Sequence, residues 1–179
     1  MQASFAARTP PETFRQQIIA PLVSLTNSIT LYDPHVGSKL DEMEAPKPSE
    51  NFLRGVRGIL AMIELSRQRF SRVPMRVRIV TRVPNYRTGG QYSVWQLRKA
   101  WEESLQVATR FPSIAFSIHY KNIKKDLFHD RYIATEHIAL SISRGLDIVT
   151  ENHAMMKCRV DVLANRDELT EIENATDQR

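Results

Sequence analysis

The chain has 179 residues, a net charge of +5 and a pI of about 9.6, with 42% apolar and 25% charged residues. These values are ordinary for one soluble globular domain, and no apolar run approaches the roughly 18 residues that a membrane span needs. The N-terminus lacks the continuous apolar stretch of a secretory signal. Cys158 is the single cysteine, which excludes an internal disulfide or a cysteine zinc cage and fits a cytoplasmic protein.

Apolar periodicity predicts helices and strands that interleave along the first two thirds of the chain. Residues 1–10 are expected to form a flexible arm, residues 11–165 the domain, and residues 166–179 an acidic tail. Helices are expected from Pro11 to about Ile19, from Ser49 to about Arg69, and from the capping box Ser93–Gln96 to Phe111. The expected strands are 28–32, 75–81, 114–120, 128–135, 138–142 and 157–163. This order predicts an α/β fold with a mixed β-sheet flanked by helices.

Two glycines interrupt the second predicted helix. Gly55 and Gly58 lie inside it, where glycine is unfavourable for a helix. We expect close packing of this helix against the sheet to be the compensation.

Positive charge is concentrated in the middle of the chain, whereas residues 167–177 carry acidic residues and no lysine or arginine. This asymmetry favours a face that binds a polyanion, either nucleic acid or an acidic lipid surface. The alternative interpretation is that these arginines are ordinary solvated residues on the surface of helices and strands. The arginines concerned are Arg54, Arg57, Arg67, Arg69, Arg72, Arg76, Arg78, Arg82 and Arg87, of which Arg76, Arg78 and Arg82 are the candidate phosphate ligands.

The most informative motif is His129-x-Arg131-x4-Glu136. On a strand, His129 and Arg131 face the same way, which puts a nucleophile or proton donor beside a fixed positive charge. His129 is therefore a candidate catalytic residue, and Arg131 is a candidate phosphate ligand. The alternatives are that His129 donates a hydrogen bond to a phosphate or is a structural residue bonded to Asp33 or Asp147, and that Arg131 pairs with Glu136 or Asp147. The motif resembles the H-x-K-x4-D signature of the phospholipase D superfamily, and this resemblance makes Glu136 a second candidate catalytic residue.

Residues at two further places are expected to shape the same site. Asp33 and His35 follow a predicted strand, at the end where α/β sheets often bind ligands. Arg144 would add a second guanidinium group for phosphate beside Arg131. Gly145 indicates a backbone position with a positive φ or a close approach of the backbone to a neighbouring group. Asp147 would cap the next segment or pair with an arginine. No spacing indicates a metal site or a cofactor.

Four motifs in order resemble the MIT_C family, the phospholipase D-like C-terminal domain of MIT-domain-containing proteins. They are Ile29–Val36 (ITLYDPHV), Asn51-Phe52-Leu53, His129-Asp130-Arg131 and Ser143–Asp147 (SRGLD). The resemblance spans about residues 14–163. It implies one phospholipase D-like half, without catalysis, linked to dimerisation and to binding of acidic lipids. The chain has no room for the family's N-terminal helical bundle, so its trafficking role is not carried over.

Two functions follow as expectations, beside a plain scaffold in which the arginines serve only solubility and protein interfaces. The first is a non-catalytic phospholipase D-like module that recognises a phosphate-bearing polyanion or a protein partner, as a self-associated subunit or adaptor of a larger complex. The second is a metal-independent phosphodiesterase or nuclease. The resemblance to the phospholipase D superfamily implies two such motifs across one active site, and this chain supplies one, so that enzyme would need a homodimer in which the two His129 side chains face each other.

Overall fold

The computed structural model describes residues 2–36, 40–41, 46–67, 73–83, 92–122, 130–149, 155–163 and 165–175. The helices are α1 (Pro11–Phe14), α2 (Ala20–Leu25), α3 (Glu50–Arg67), α4 (Val94–Leu105), α5 (Val107–Arg110) and α6 (Asp167–Asn174), and a π-helical turn, Arg15–Ile19, joins α1 to α2. The strands are β1 (Gln2–Phe5), β2 (Ser28–Tyr32), β3 (Leu40–Asp41), β4 (Lys47–Pro48), β5 (Met75–Arg82), β6 (Ile114–Lys121), β7 (Tyr132–Ala134), β8 (Ala139–Ile142) and β9 (Cys158–Val162). Within those ranges, no helix has the length and apolar character to cross a membrane.

Seven strands form one mixed sheet in the order β1-β9-β8-β7-β2-β5-β6. The β2–β5 and β5–β6 pairs are parallel, and the other neighbouring pairs are antiparallel. The predicted α/β fold with a mixed sheet flanked by helices is confirmed. Because β7 runs against β2, the ends of β2, β5 and β6 and the start of β7 meet at one edge of the sheet, which we call the carboxyl edge.

The two faces of the sheet bury different side chains. Val77 and Ile79 of β5 lie in the main core with residues of α1–α4, while Val80 lies in a second cluster on the opposite face. This alternation is the one that the sequence predicts for β5. Large fully buried members of the main core are Phe14, Ile18, Ile29, Leu31, Leu60 and Trp101.

The two glycines of α3 allow a close approach, as predicted. A Cβ on Gly55 would stand 1.4 Å from the carbonyl oxygen of Leu146, and one on Gly58 would stand 2.8 Å from a methyl group of Val149. The neighbour is thus the segment after β8 rather than a strand of the sheet. The glycines let α3 press this segment into place at the carboxyl edge.

The N-terminal segment is not a flexible arm, which corrects the expectation for residues 1–10. Gln2–Phe5 forms the edge strand β1, which pairs antiparallel with β9. Phe5 is buried, with its ring 5.1 Å from that of Phe14. A strand this short is stabilised by its tertiary neighbours, so its own sequence carries little signal.

The acidic C-terminal segment also packs against the domain, instead of extending from it as a tail. Asp167–Asn174 forms α6, which buries Leu169 and Ile172 against the second cluster. The two apolar side chains are three residues apart and therefore share one face of the helix. Asp167 and Glu168 stand in the first turn, where negative charge stabilises a helix.

The remaining differences concern where elements begin and end. The first helical segment continues beyond Ile19 to Leu25, because Pro21 falls in the first turn of α2 after the π-helical turn. The capping box of Ser93 and Gln96 is confirmed. The strand expected over 128–135 is shorter, since β7 begins at Tyr132 and residues 128–129 lie outside the described ranges.

Candidate functional site

Asp33 is the centre of a charged cluster at the carboxyl edge. It follows β2 and is completely buried. Its Oδ1 accepts a hydrogen bond from the backbone N–H of His35 at 2.8 Å, and its Oδ2 accepts one from the backbone N–H of Leu146 at 2.7 Å. The first bond closes a turn and the second fixes the segment after β8 against the end of β2. Both residues that the sequence placed at this strand end therefore belong to one local structure.

Gly145 is the close neighbour that this arrangement requires. A Cβ at Gly145 would stand 2.0 Å from Oδ2 of Asp33 and 3.3 Å from Nε of Arg131. The close approach that the sequence predicted is therefore real, and its partners are a buried carboxylate and a guanidinium. The contact brings together Asp33, Arg131 and Gly145, three residues that the sequence analysis had placed in the site. Asp33 and Gly145 are more than a hundred positions apart in the sequence.

Two arginines stand beside Asp33. Arg82 is the last residue of β5, and Arg131 immediately precedes β7. The Nε atoms of both are buried, and no hydrogen-bond partner for them exists in the described part of the chain. Arginine keeps its charge under all ordinary conditions, so each side chain brings a cationic donor, its Nε–H, for which the described residues supply no acceptor.

The pKa values in this cluster shift for one main reason, which is burial. Burial raises the pKa of Asp33, although the two hydrogen bonds and the charge of Arg131 oppose it. Burial likewise lowers the pKa of Arg82, and the negative charge of Asp33 opposes that shift. Burial thus disfavours the ionised forms of both Asp33 and Arg82.

Arg144 and Asp147 form the rim of the cluster. Arg144 Nη1 lies 3.8 Å from an oxygen of Asp147, and the Arg144 side chain is 42% exposed. The negative charge of Asp147 contributes to the raised pKa of Asp33. Asp147 thus pairs with Arg144 rather than with Arg131, which answers one alternative left open by the sequence.

Glu136 does not belong to this cluster, which corrects its assignment as a candidate catalytic residue. It lies in the turn between β7 and β8, beyond the end of β7 opposite to Arg131. Its side chain is 67% exposed and lies 3.2 Å from His137. The spacing of the motif misleads because the strand is short and the last position falls in the following turn. His129 lies outside the described residues.

The arginines of β5 have different surroundings. Arg76 is exposed. Arg78 donates to Glu173 of α6 at 2.5 Å and lies 3.4 Å from the hydroxyl of Thr30. Arg82 alone of the three stands in the Asp33 cluster. The basic stretch of sequence is therefore divided between a cluster at the carboxyl edge and the face beneath α6.

A second polar cluster, which no sequence motif indicated, lies beneath α6. Tyr32 donates to Glu173, and Tyr132 donates to Glu168. Burial, followed by these carboxylates, raises the pKa of both phenols above their ordinary range. The spacing of Leu169 and Ile172 inside the acidic segment was the signal that could have predicted this amphipathic helix.

Among the described residues, no group of three or more histidine, cysteine, aspartate or glutamate side chains is placed to hold a metal ion. No protein-family model matches the chain, and no curated protein matches it. The resemblance to the MIT_C family stays a prediction from the motifs.

Proposed function

We propose that the chain is a non-catalytic, phospholipase D-like module that recognises a phosphate-bearing polyanion through Arg82 and Arg131. It acts as a self-associated subunit or adaptor of a larger complex. The observation that supports this proposal most is the pair of buried Nε atoms beside Asp33, which have no hydrogen-bond partner within the described ranges.

A phosphate group suits these two side chains. The guanidinium fork matches two phosphate oxygens, and a hydrogen bond between charged groups is stronger than one between neutral groups. Asp33 interacts with the charges of both arginines, and each of its oxygens accepts a hydrogen bond from a backbone N–H group. Its role is to fix the loop that holds Gly145 and to balance part of the positive charge while the site is empty.

Recognition without turnover is favoured over hydrolysis. Phosphodiester cleavage needs a nucleophile and a proton donor at the reacting group. Glu136, one of the two residues predicted for such roles, lies at the far end of β7. The alternative is a metal-independent phosphodiesterase that acts through His129 in a homodimer, and it predicts cleavage in the presence of EDTA.

The test is equilibrium binding with a matched pair of variants. Arg131→Gln removes a guanidinium at the carboxyl edge, while Arg110→Gln removes one from an exposed position at the end of α5. The probes are a short fluorescein-labelled oligonucleotide and vesicles that contain phosphatidylserine. We expect Arg131→Gln to weaken binding by about tenfold to a hundredfold, the range for one charge-assisted hydrogen bond, and Arg110→Gln to change it little.

The two probes also separate the sources of phosphate. Loss of oligonucleotide binding alone would assign the site to nucleic acid, and loss of vesicle binding alone would assign it to lipid. Equal affinities of both variants and the unsubstituted chain for both probes would contradict the proposal.

A further inference from the structure

Two tyrosine rings lie edge to face on the face of the sheet beneath α6. Tyr32 of β2 and Tyr132 of β7 are register partners, with ring centroids 6.4 Å apart and ring planes at 75°. Arg78 of β5 and Lys121 of β6 flank them. Aromatic side chains on neighbouring strands, with cations beside them, are the arrangement by which a sheet stacks the bases of a single strand and binds its phosphates.

In the structure, α6 satisfies the polar groups of this face. Glu173 accepts hydrogen bonds from the hydroxyl of Tyr32 and from Arg78. Glu168 accepts one from the hydroxyl of Tyr132. Lys121 Nζ donates to the backbone carbonyls of Glu173 and Ala175 at 2.8 and 2.9 Å. The helix therefore offers to this face the anionic and carbonyl oxygens that a nucleic-acid strand would offer.

The attachment of α6 combines a small apolar contact with several polar ones. Its eight residues carry four carboxylates, and Leu169 and Ile172 are its buried side chains. The sheet beneath is built partly from the small residues Ala134 and Ala139. A helix held by two apolar side chains and by charged contacts is open to competition from another polyanion, which the main core is not.

We propose that the sheet face formed by Tyr32, Tyr132, Arg78 and Lys121 is a binding surface for single-stranded nucleic acid, and that α6 covers it until the strand displaces it. Bases stack on the two rings, and phosphates replace the carboxylates of Glu168 and Glu173. The inference builds on the proposed function, because it names the polyanion and adds a surface that adjoins the Asp33 cluster at the carboxyl edge.

The test loosens α6 in the full chain, once from the helix side and once by removing a single hydroxyl group from the surface. Glu173→Gln removes the charge that holds Tyr32 and Arg78. Glu171→Gln removes the same charge from an exposed position on the same helix and is the matched control. Tyr32→Phe is the second variant, because it keeps the ring and removes its hydrogen bond to Glu173. The measurement is the anisotropy of a short fluorescein-labelled single-stranded oligonucleotide.

We expect Glu173→Gln and Tyr32→Phe to bind the oligonucleotide more tightly than the unsubstituted chain, by about tenfold, because apparent affinity rises with the fraction of molecules in the open state. Glu171→Gln should bind like the unsubstituted chain. Hydrogen exchange of the α6 amides should accelerate when the oligonucleotide is bound, since the strand replaces the helix. Tighter binding of duplex or of phosphatidylserine vesicles by Glu173→Gln, without a gain for the single strand, would overturn the assignment.

Failure of this inference is distinguishable from failure of the proposed function. If Arg131→Gln weakens binding but Glu173→Gln and Tyr32→Phe leave it unchanged, α6 is a fixed part of the fold and the covered surface is rejected, while the Asp33 cluster remains a phosphate site. If the α6 variants gain affinity and Arg131→Gln has no effect, the reverse holds. Absence of oligonucleotide binding in every variant overturns the inference.

Discussion

Asp33 and Gly145 are in such close contact that a single added carbon on Gly145 would stand 2.0 Å from the Asp33 carboxylate. This contact joins the end of β2 to the loop after β8 and leaves Arg131 beside both. It explains why an acid without solvent contact is found at the carboxyl edge: the backbone N–H groups of His35 and Leu146 hold it there. The geometry of the candidate site depends on this pair.

Gly145→Ala should therefore destabilise the fold. The new methyl group displaces the Asp33 carboxylate and breaks its bond to Leu146, so we expect a loss of about 2–4 kcal/mol in the free energy of unfolding. Chemical denaturation followed by circular dichroism measures it. A loss below about 0.5 kcal/mol, the size of an ordinary surface change, would contradict the contact.

The two glycines of α3 should respond differently to alanine. Gly55→Ala meets a backbone carbonyl at 1.4 Å, whereas Gly58→Ala meets a side-chain methyl of Val149 at 2.8 Å. A side-chain methyl group can move aside and a backbone carbonyl cannot. Gly55→Ala should therefore lower the free energy of unfolding more than Gly58→Ala does. The double variant Gly58→Ala/Val149→Ala separates clash from lost packing, because it should recover stability relative to Val149→Ala. Equal losses for the two single alanine variants would contradict this packing.

Much of the fold follows from local signals in the sequence. The alternation of β2 and β5 and the capping box of α4 are properties of neighbouring residues, and they predict these elements correctly. The strand β1 and the helix α6 were not predicted, because each is stabilised by distant partners: Phe5 by Phe14, and Leu169 by the second cluster. Short elements of this kind have weak intrinsic preferences.

The candidate site shows the same division. Asp33 and Gly145 were identified by their positions at a strand end and in a loop, but their contact across 112 positions could not be derived from spacing. Glu136 was assigned from the motif, and the shortness of β7 removes it from the site. The hydrogen bond of Tyr132 was not predicted, because its partner Glu168 lies in a segment that was expected to be a tail.

The thiol of Cys158 provides a pH-dependent prediction. Burial raises the pKa of Cys158 to about 11, while the pKa of a thiol in the unfolded chain is about 8.5. The unfolded state therefore loses its proton first, and the folded state loses stability as the pH rises from about 8.5 toward 11, by on the order of 1.4 kcal/mol per pH unit. Denaturation at several pH values measures this slope. Cys158→Ala should abolish this contribution, and an identical slope in both proteins would contradict it.

Self-association and catalysis can be examined together. We predict a homodimer at micromolar concentration, measured by light scattering, and no cleavage of a phosphodiester in EDTA. His129→Ala should then weaken polyanion binding less than Arg131→Gln, because a neutral imidazole contributes no full charge. Cleavage in EDTA that His129→Ala abolishes would favour the enzyme instead, and a stable monomer would count against the self-associated module and the dimeric enzyme alike.

The most direct measurement of the central claim is an NMR titration of the arginine Nε–H signals with inorganic phosphate and then with the oligonucleotide. We predict that the Nε–H signals of Arg82 and Arg131 shift together and that the shift saturates as ligand is added. These Nε–H groups would gain an acceptor that the described residues do not supply. Arg110, exposed at the end of α5, should remain unchanged. Saturable binding that leaves the Arg82 and Arg131 signals in place, or no saturable shift at all, would contradict the account.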